Sequence, residues 1–260
     1  PIFDKYHQSI GALALEPGSA KVVYAGTGES NMRNSVSIGA GIYKTTDGGS
    51  NWQKLGLDST EHISKIIVDP TDKKLVYVSA PGPLFKSSVH RGLYKSTDAG
   101  KTWEKILYIN ENTGCADIAI HPIKSNIVFA STWEFRRKPF SFVSGGTGSA
   151  LYKSTDGGKT WNKISKGLPE GNLGRIVITI NPSTPSQILA LVEAKESALY
   201  QSNDEGETWT KLTTATGLTA RPFYFSTLVI DPKDPKRVYR PAYDFKYGQV
   251  VAFSCDLFVI

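Results

Sequence analysis

One eight-residue motif occurs four times in this chain: TTDGGSNW at 45–52, STDAGKTW at 96–103, STDGGKTW at 154–161 and SNDEGETW at 202–209. The shared pattern is Ser/Thr-x-Asp-x-Gly-x-Thr/Asn-Trp. Its aspartates, Asp47, Asp98, Asp156 and Asp204, are separated by 51, 58 and 48 residues. A motif returning at such intervals restricts the chain to tandem copies of one supersecondary unit. The motif reads as a turn: the Asp carboxylate caps backbone N–H groups two residues on, with the Ser or Thr hydroxyl as a second cap. Gly49, Gly100, Gly158 and Gly206 supply a conformation other residues resist. Trp52, Trp103, Trp161 and Trp209 then anchor the next strand with a large ring.

Each unit holds three further strand-like segments rich in Val, Ile and Tyr and bounded by turn residues. The first ends in a proline turn, as in IIVDP (66–70), IAIHP (118–122) and ITINP (178–182). The second resembles VVYAGT (22–27), and the third, GIYKTT (41–46) or GLYKST (92–97), leads into the Asp turn. No segment carries a helical period. Four-stranded units in tandem predict an all-β propeller. Its complete blades span 10–55, 63–107, 115–165 and 174–213, with a partial blade at 224–247 and no assignment for 248–260. Residues 1–4 fall where an outer strand would lie, so the reading is an open segment of a larger propeller.

Composition narrows the partners. The net charge is +6, yet no basic run exceeds residues 136–138, which argues against a nucleic-acid stripe. No apolar run approaches a membrane span, and no signal peptide is visible in this segment. Cys115 and Cys255 form no metal or redox spacing, and His7, His62, His90 and His121 are scattered. No metal or cofactor is expected. His121 sits in a proline turn and reads as structural.

Antiparallel order sets all Asp turns at one end of the blades and the long loops at the other. Function on a propeller is expected in such loops. Arg33, Arg91, Arg136, Arg137 and Arg221 fall there, together with Glu29, Glu61, Glu111, Glu134, Glu170, Glu193 and Glu196, whereas lysines decorate strands and Asp turns. The densest stretch is TWEFRRKPFSF (132–142), where Trp133, Phe135, Phe140 and Phe142 interleave with charge. Two readings stand: the stretch packs over the blade tops, or it contacts a ligand. The candidate binding set is Arg33, Glu111, Asn112, Trp133, Glu134, Arg136, Arg137, Arg221 and Tyr224. Glu29, Glu111, Glu134 and Glu193 are weak candidates for the two carboxylates a glycosidase needs.

The Asp turns are similar to the BNR/Asp-box repeat of sialidases, xyloglucan-cleaving glucanases, photosystem-assembly factors and sortilin-type receptors. The phrases YAGTGESNMRNSVSIGAGIYKTTDGG, NENTGCADIAIHP and TWEFRRKPFSFVSGGTGSALYKSTDGGKTW resemble bacterial secreted propellers of the sortilin-like, BNR-repeat glycosyl-hydrolase group. The resemblance covers about residues 1–247. It implies an extracytoplasmic propeller that binds a peptide, protein or glycan, with the missing blades of a parent chain as further partners. A glycoside hydrolase is the alternative. The Arg-Ile-Pro segment of sialidases is absent: Arg175-Ile176 is followed by Val177. So is the Arg-Thr-Asp-Ile-Gly-Gly segment of the glucanases.

Overall fold

The computed structural model describes residues 3, 5, 6, 9–215, 219–221, 223, 224, 227–244 and 249–256. The first blade contains β1 (Ile10–Leu15), β2 (Val23–Thr27), β3 (Ile42–Thr45) and β4 (Gln53–Lys54) in antiparallel order β1-β2-β3-β4. The second contains β5 (Lys65–Val68), β6 (Val76–Ala80), β7 (Gly92–Ser96) and β8 (Glu104–Leu107). The third contains β9 (Thr113–Ile120), β10 (Val128–Lys138), β11 (Ser141–Ser144), β12 (Ala150–Ser154) and β13 (Asn162–Ile164). The fourth contains β14 (Ile176–Ile180), β15 (Ile188–Val192), β16 (Ala198–Ser202) and β17 (Thr210–Thr213). A three-stranded sheet follows: β18 (Val229–Ile230), β19 (Arg237–Asp244) and β20 (Gln249–Asp256). Between residues 10 and 213 the one helical element is a 3-10 turn at Asp58–Thr60. The chain is thus an all-β propeller built from four-stranded Asp-turn blades.

Two segments differ from the expectation. Residues 133–150 are not one loop. β10 continues to Lys138 and folds back through Pro139 and Phe140 into β11, pairing Arg136 with Val143 and Lys138 with Ser141. Buried Trp133 and Phe135 alternate with half-buried Glu134 and Arg136, a strand period masked in sequence by the charges that follow. The unassigned tail also pairs: β20 runs antiparallel to β19 from Asp244↔Gln249 to Arg237↔Asp256. Of residues 1–4 only Phe3 is described. Its ring meets Trp52 edge-on at 5.0 Å and Tyr43 at 5.4 Å.

The Asp turn is a network shared by its caps. In the second blade the Ser96 hydroxyl donates to Asp98 Oδ1 at 2.8 Å and accepts from the N–H groups of Asp98 and Gly100. The Asp98 carboxylate therefore reaches further, accepting from the Thr102 N–H at 2.8 Å and the Thr102 hydroxyl at 2.6 Å. The reach is four residues rather than the expected two, because the hydroxyl already serves the nearer N–H groups. The same bonds recur around Asp47, Asp156 and Asp204. Each Asp turn also donates one backbone N–H to the neighbouring proline turn of its own blade: Gly48 to Lys21, Ala99 to Lys74, Gly157 to Asn126 and Glu205 to Ser186. In the third proline turn His121 Nδ1 accepts from the Ile123 and Lys124 N–H groups.

The turns also clasp adjacent blades. Tyr24 of blade one donates its hydroxyl to Ala99 O of blade two, and Tyr77 of blade two donates to Gly157 O of blade three, each at 3.2 Å. In return, Trp103 Nε1 donates to Leu55 O at 2.8 Å and Trp161 Nε1 to Ile106 O at 3.0 Å, both on the preceding blade. At the third junction Phe129 replaces the tyrosine and packs its ring edge against Gly206, where a Cβ would lie 2.6 Å from the ring. Buried aliphatic residues fill the space behind these clasps, including Ile66, Val76 and Val78 at the first junction and Leu151, Ile176 and Ile188 at the third. The corresponding face of blade one, with Ile10, Leu13 and Leu15, is exposed. Tyr77 is fully buried, so Tyr77→Phe deletes one inter-blade bond with little change of shape. Urea unfolding should show a loss of about 0.5–1.5 kcal/mol, and an unchanged midpoint would deny the clasp its role.

Candidate functional site: the loop face

The loop face is centred on a buried apolar cluster of Met32, Leu84, Ala116, Trp133 and Phe135, with Val36, Phe142 and Phe223 packed against it. Its members come from the long loops of blades one and two, from β9–β11 of blade three and from the segment preceding β18. Trp133 is fully buried, and Phe135 is 1% exposed. The structure therefore places Trp133 under the loop face, not on it, which corrects its expected role in contacting a ligand. The cause is strand alternation: Trp133 and Phe135 fall two apart on β10 and turn to the same buried side, while Trp133 pairs with Gly114 of β9, whose missing side chain admits the Pro81 backbone.

Arginines sandwich these rings. Arg91 lies over Phe135 at 4.6 Å, Phe135 stacks on Trp133 at 4.2 Å, and Arg175 lies over the far face of Trp133 at 5.0 Å. This four-layer stack runs from blade two through blade three to blade four. Both end guanidiniums are buried, and both donate to backbone carbonyls. Arg91 bonds Pro81, Pro83 and Lys86, while Arg175 bonds Ser30 and Phe223 at 3.1 and 3.0 Å. Arg175 thereby ties blade one's loop to blade four across the axis. Burial, the dominant cause, lowers both guanidinium pKa values to about 10. Arg137 is also committed inward, over Phe142 at 4.5 Å, with its backbone N–H on Leu84 O.

The carboxylates divide by surroundings. Glu29 takes a two-pronged bond from Arg33, at 2.6 and 3.1 Å. Glu134 accepts from the Gly148 N–H at 2.9 Å and so pins the turn after β11. Glu193 accepts from the Ser144 hydroxyl at 2.7 Å and the Arg175 N–H at 2.8 Å, and Ser144 in turn accepts from Trp133 Nε1 at 3.0 Å. Burial raises the Glu193 carboxyl above its ordinary range against the pull of those bonds. Glu111 is exposed. Arg221 sits over Phe223 at 5.7 Å and Tyr224 at 5.3 Å. Tyr224 lies near enough to Arg33 to act on its charge, so these three join one side of the face.

Arg136 and Asn112 come together with a residue the sequence reading omitted, Ser87. Arg136 Nη2 donates to Ser87 Oγ at 2.7 Å and Asn112 Oδ1 at 2.6 Å, and Ser87 Oγ donates to Asn112 Oδ1 at 2.8 Å. Ser87 had no distinguishing signal in sequence, because its partners lie 25 and 49 residues away. His62, one of four scattered histidines, has no sequence signal of its own. It is 1% exposed among Glu61, Glu29 and Arg91. No group of three or more His, Cys, Asp or Glu side chains among the described residues is arranged to hold a metal ion.

Residues 40–166 match the Sortilin-Vps10 family model, described as sortilin, neurotensin receptor 3. A xyloglucanase of Paenibacillus sp is 29% identical over 182 residues, covering 63% of this chain and 17% of the relative. The vacuolar protein sorting/targeting protein 10 of Colletotrichum graminicola is 26% identical over 107 residues, covering 41% of this chain and 6% of the relative. The chain thus spans a fifth or less of these relatives' length. The GH74 xyloglucanase structure from Xanthomonas campestris superposes with a TM-score of 0.65 at 20% identity, over 88% of this chain and 35% of that one. An ancestral GH74 enzyme gives 0.67 at 20% identity, over 96% and 30%. Repeated Asp turns and four-stranded blades make the chain an Asp-turn β-propeller, similar over residues 40–166 to the sortilin family model and over most of its length to the GH74 structures.

Proposed function

We propose that this chain belongs to an extracytoplasmic binding module that holds a peptide, protein or glycan ligand at its loop face. The observation that carries the reading is the state of the Arg136 guanidinium. Trp133, Arg91, Arg137 and Arg175 are consumed in building the hub, whereas half-buried Arg136 is fixed through Nη2 alone. A cation held in place on a rigid platform suits recognition, since little side-chain freedom is lost on binding. Arg33, Glu111, Arg221 and Tyr224 complete the accessible part of the candidate set, and the Asp turns lie at the opposite end of the blades. The test is a panel of peptides and glycans presented to the immobilised chain. Ligands found should be lost on Arg136→Ala plus Glu111→Ala, with the melting temperature unchanged, and kept on Asp98→Ala. Retention of every ligand by the double variant would remove the loop face from consideration.

A glycosidase is the second reading, favoured by the xyloglucanase relatives and by the raised pKa of Glu193, the state a general acid requires. Glu134 is then the candidate partner, as a carboxylate on the same face. Release of reducing sugar from xyloglucan that vanishes with Glu193→Gln supports this reading, and activity indifferent to that change removes it.

A further inference from the structure

Each blade has a leading and a trailing side, and strand register assigns residues to each. On blade two, Ile66 pairs with Val78 and Val68 with Val76, and all four are buried against blade one. The alternate pair, Ile67 with Tyr77, packs toward blade three. Blade one repeats the leading pattern in the open. Leu13 pairs with Ala25 and Leu15 with Val23, the positions of Ile66 and Val68. Yet Leu13 is 66% and Leu15 61% exposed, where Ile66 and Val68 are 4% and 6%. Leu13, Val23, Gly48 and Trp52 line an apolar groove of about 170 Å³, and Phe3, edge-on to Trp52, forms one wall. Exposed Gly48 holds the place in its Asp turn that Ala99 and Gly157 hold in theirs, and the carbonyls of those two accept the hydroxyls of Tyr24 and Tyr77.

The matching trailing side lies on the β18–β20 sheet. Val229 pairs with Tyr239 and Ile230 with Val238, the register of Ile67 with Tyr77 and Val68 with Val76. Ile230 and Val238 are buried against blade four. Val229 and Tyr239 face the other way and are 47% and 36% exposed. Tyr239 thus holds the clasp position of Tyr24 and Tyr77. Its hydroxyl donates at 3.0 Å to Asp231 in the proline turn of its own sheet, whereas theirs reach the next Asp turn. One chain therefore carries both halves of a blade junction on two separate exposed surfaces.

We infer that the Val229–Tyr239 face of a second copy of this chain seats on the exposed face of blade one, with the Tyr239 hydroxyl passing from Asp231 to Gly48 O. The occupant is a blade rather than a free peptide or small ligand, because the same register positions take a blade at every other junction of the chain. The contact joins two different patches, so copies add head to tail, into a ring where the rotation closes and a filament where it does not. It uses the flat sides of the blades and is independent of the loop-face reading.

Sedimentation velocity of the whole chain tests this from low to high micromolar protein. The mean mass should rise with concentration, and rising salt should not weaken the association, since the contact is apolar. Leu13→Glu should weaken it by about tenfold or more, because the carboxylate is buried without a partner. Leu15→Glu should match it, and Tyr239→Glu should do the same from the other side. All three positions are exposed, so circular dichroism should show each variant folded. Leu13→Glu mixed with Tyr239→Glu should associate again, as one intact half remains on each chain. Phe140→Ala, which removes a fully exposed ring elsewhere, should change nothing. A monomer at high micromolar protein overturns the inference. So does association that ignores Leu13→Glu and Leu15→Glu, that falls equally with Phe140→Ala, or that fails to return in the mixture. A monomer whose melting temperature falls with both Leu13→Glu and Tyr239→Glu overturns the second copy in favour of closure within one chain.

Discussion

Trp133→Ala is expected to cost about 3–5 kcal/mol of stability, the range for removing a large buried aromatic side chain. The ring is fully buried, stacks on Phe135 and carries Arg175 on its other face. Its loss opens a cavity where loops from several blades meet, and it removes the surface on which a buried cation rests. The indole N–H also ends a chain through Ser144 to Glu193, so the change withdraws a donor from Ser144. Trp133→Phe should keep much of the packing and cost less. Urea unfolding monitored by circular dichroism measures both. If Trp133→Ala unfolds at the midpoint of the parent and instead abolishes ligand binding, the ring is a ligand contact and the hub account is wrong.

The contrast with Arg136 shows what the sequence made legible. Repeated local patterns announced themselves: the Asp turn with its Ser or Thr partner and the proline turn need only residues within a few positions. Their spacing was enough for the blade architecture. The hub was not legible, because the stretch from Trp133 to Phe142 reads equally as a ligand platform or as packing. The decision depends on which side of β10 faces the axis, and the extra hairpin of β11 sets that. Nor did sequence foretell that Arg91 and Arg175, 84 residues apart, would cap the two ends of one aromatic stack. Ser87 and Asn112 meet Arg136 only because the loops of two blades converge. Periodicity specifies blades, but what their loops build together depends on contacts between units.

Acid should unfold the protein in two steps with separate owners. His62 is buried, and desolvation lowers its pKa from 6.5 to about 4. The unfolded chain therefore binds a proton that the folded chain refuses, and stability falls as pH drops from about 6.5 to about 4. A shift of that size corresponds to about 3 kcal/mol. The Asp turns act lower. Hydrogen bonds from Thr102 hold Asp98 at about 2, and those from Thr208 hold Asp204 there; those from Asn51 do the same for Asp47, and Asp156 is depressed likewise through Thr160. With an ordinary value of 3.8, their contribution is complete above that pH and is lost as pH falls through about 2. Glu193 opposes the first: its raised pKa means the folded state takes up the proton before the unfolded chain does, a gain in stability on acidification that blunts the upper step. Urea midpoints recorded from pH 7 to pH 2 should accordingly decline in two stages. His62→Gln should flatten the upper stage and leave the lower one. Asp98→Asn with Asp156→Asn should shallow the lower stage without altering the upper. Glu193→Gln should steepen the upper stage. An upper stage that persists unchanged in His62→Gln would show that the imidazole takes up its proton in the folded chain, and the burial assigned to it here would be wrong.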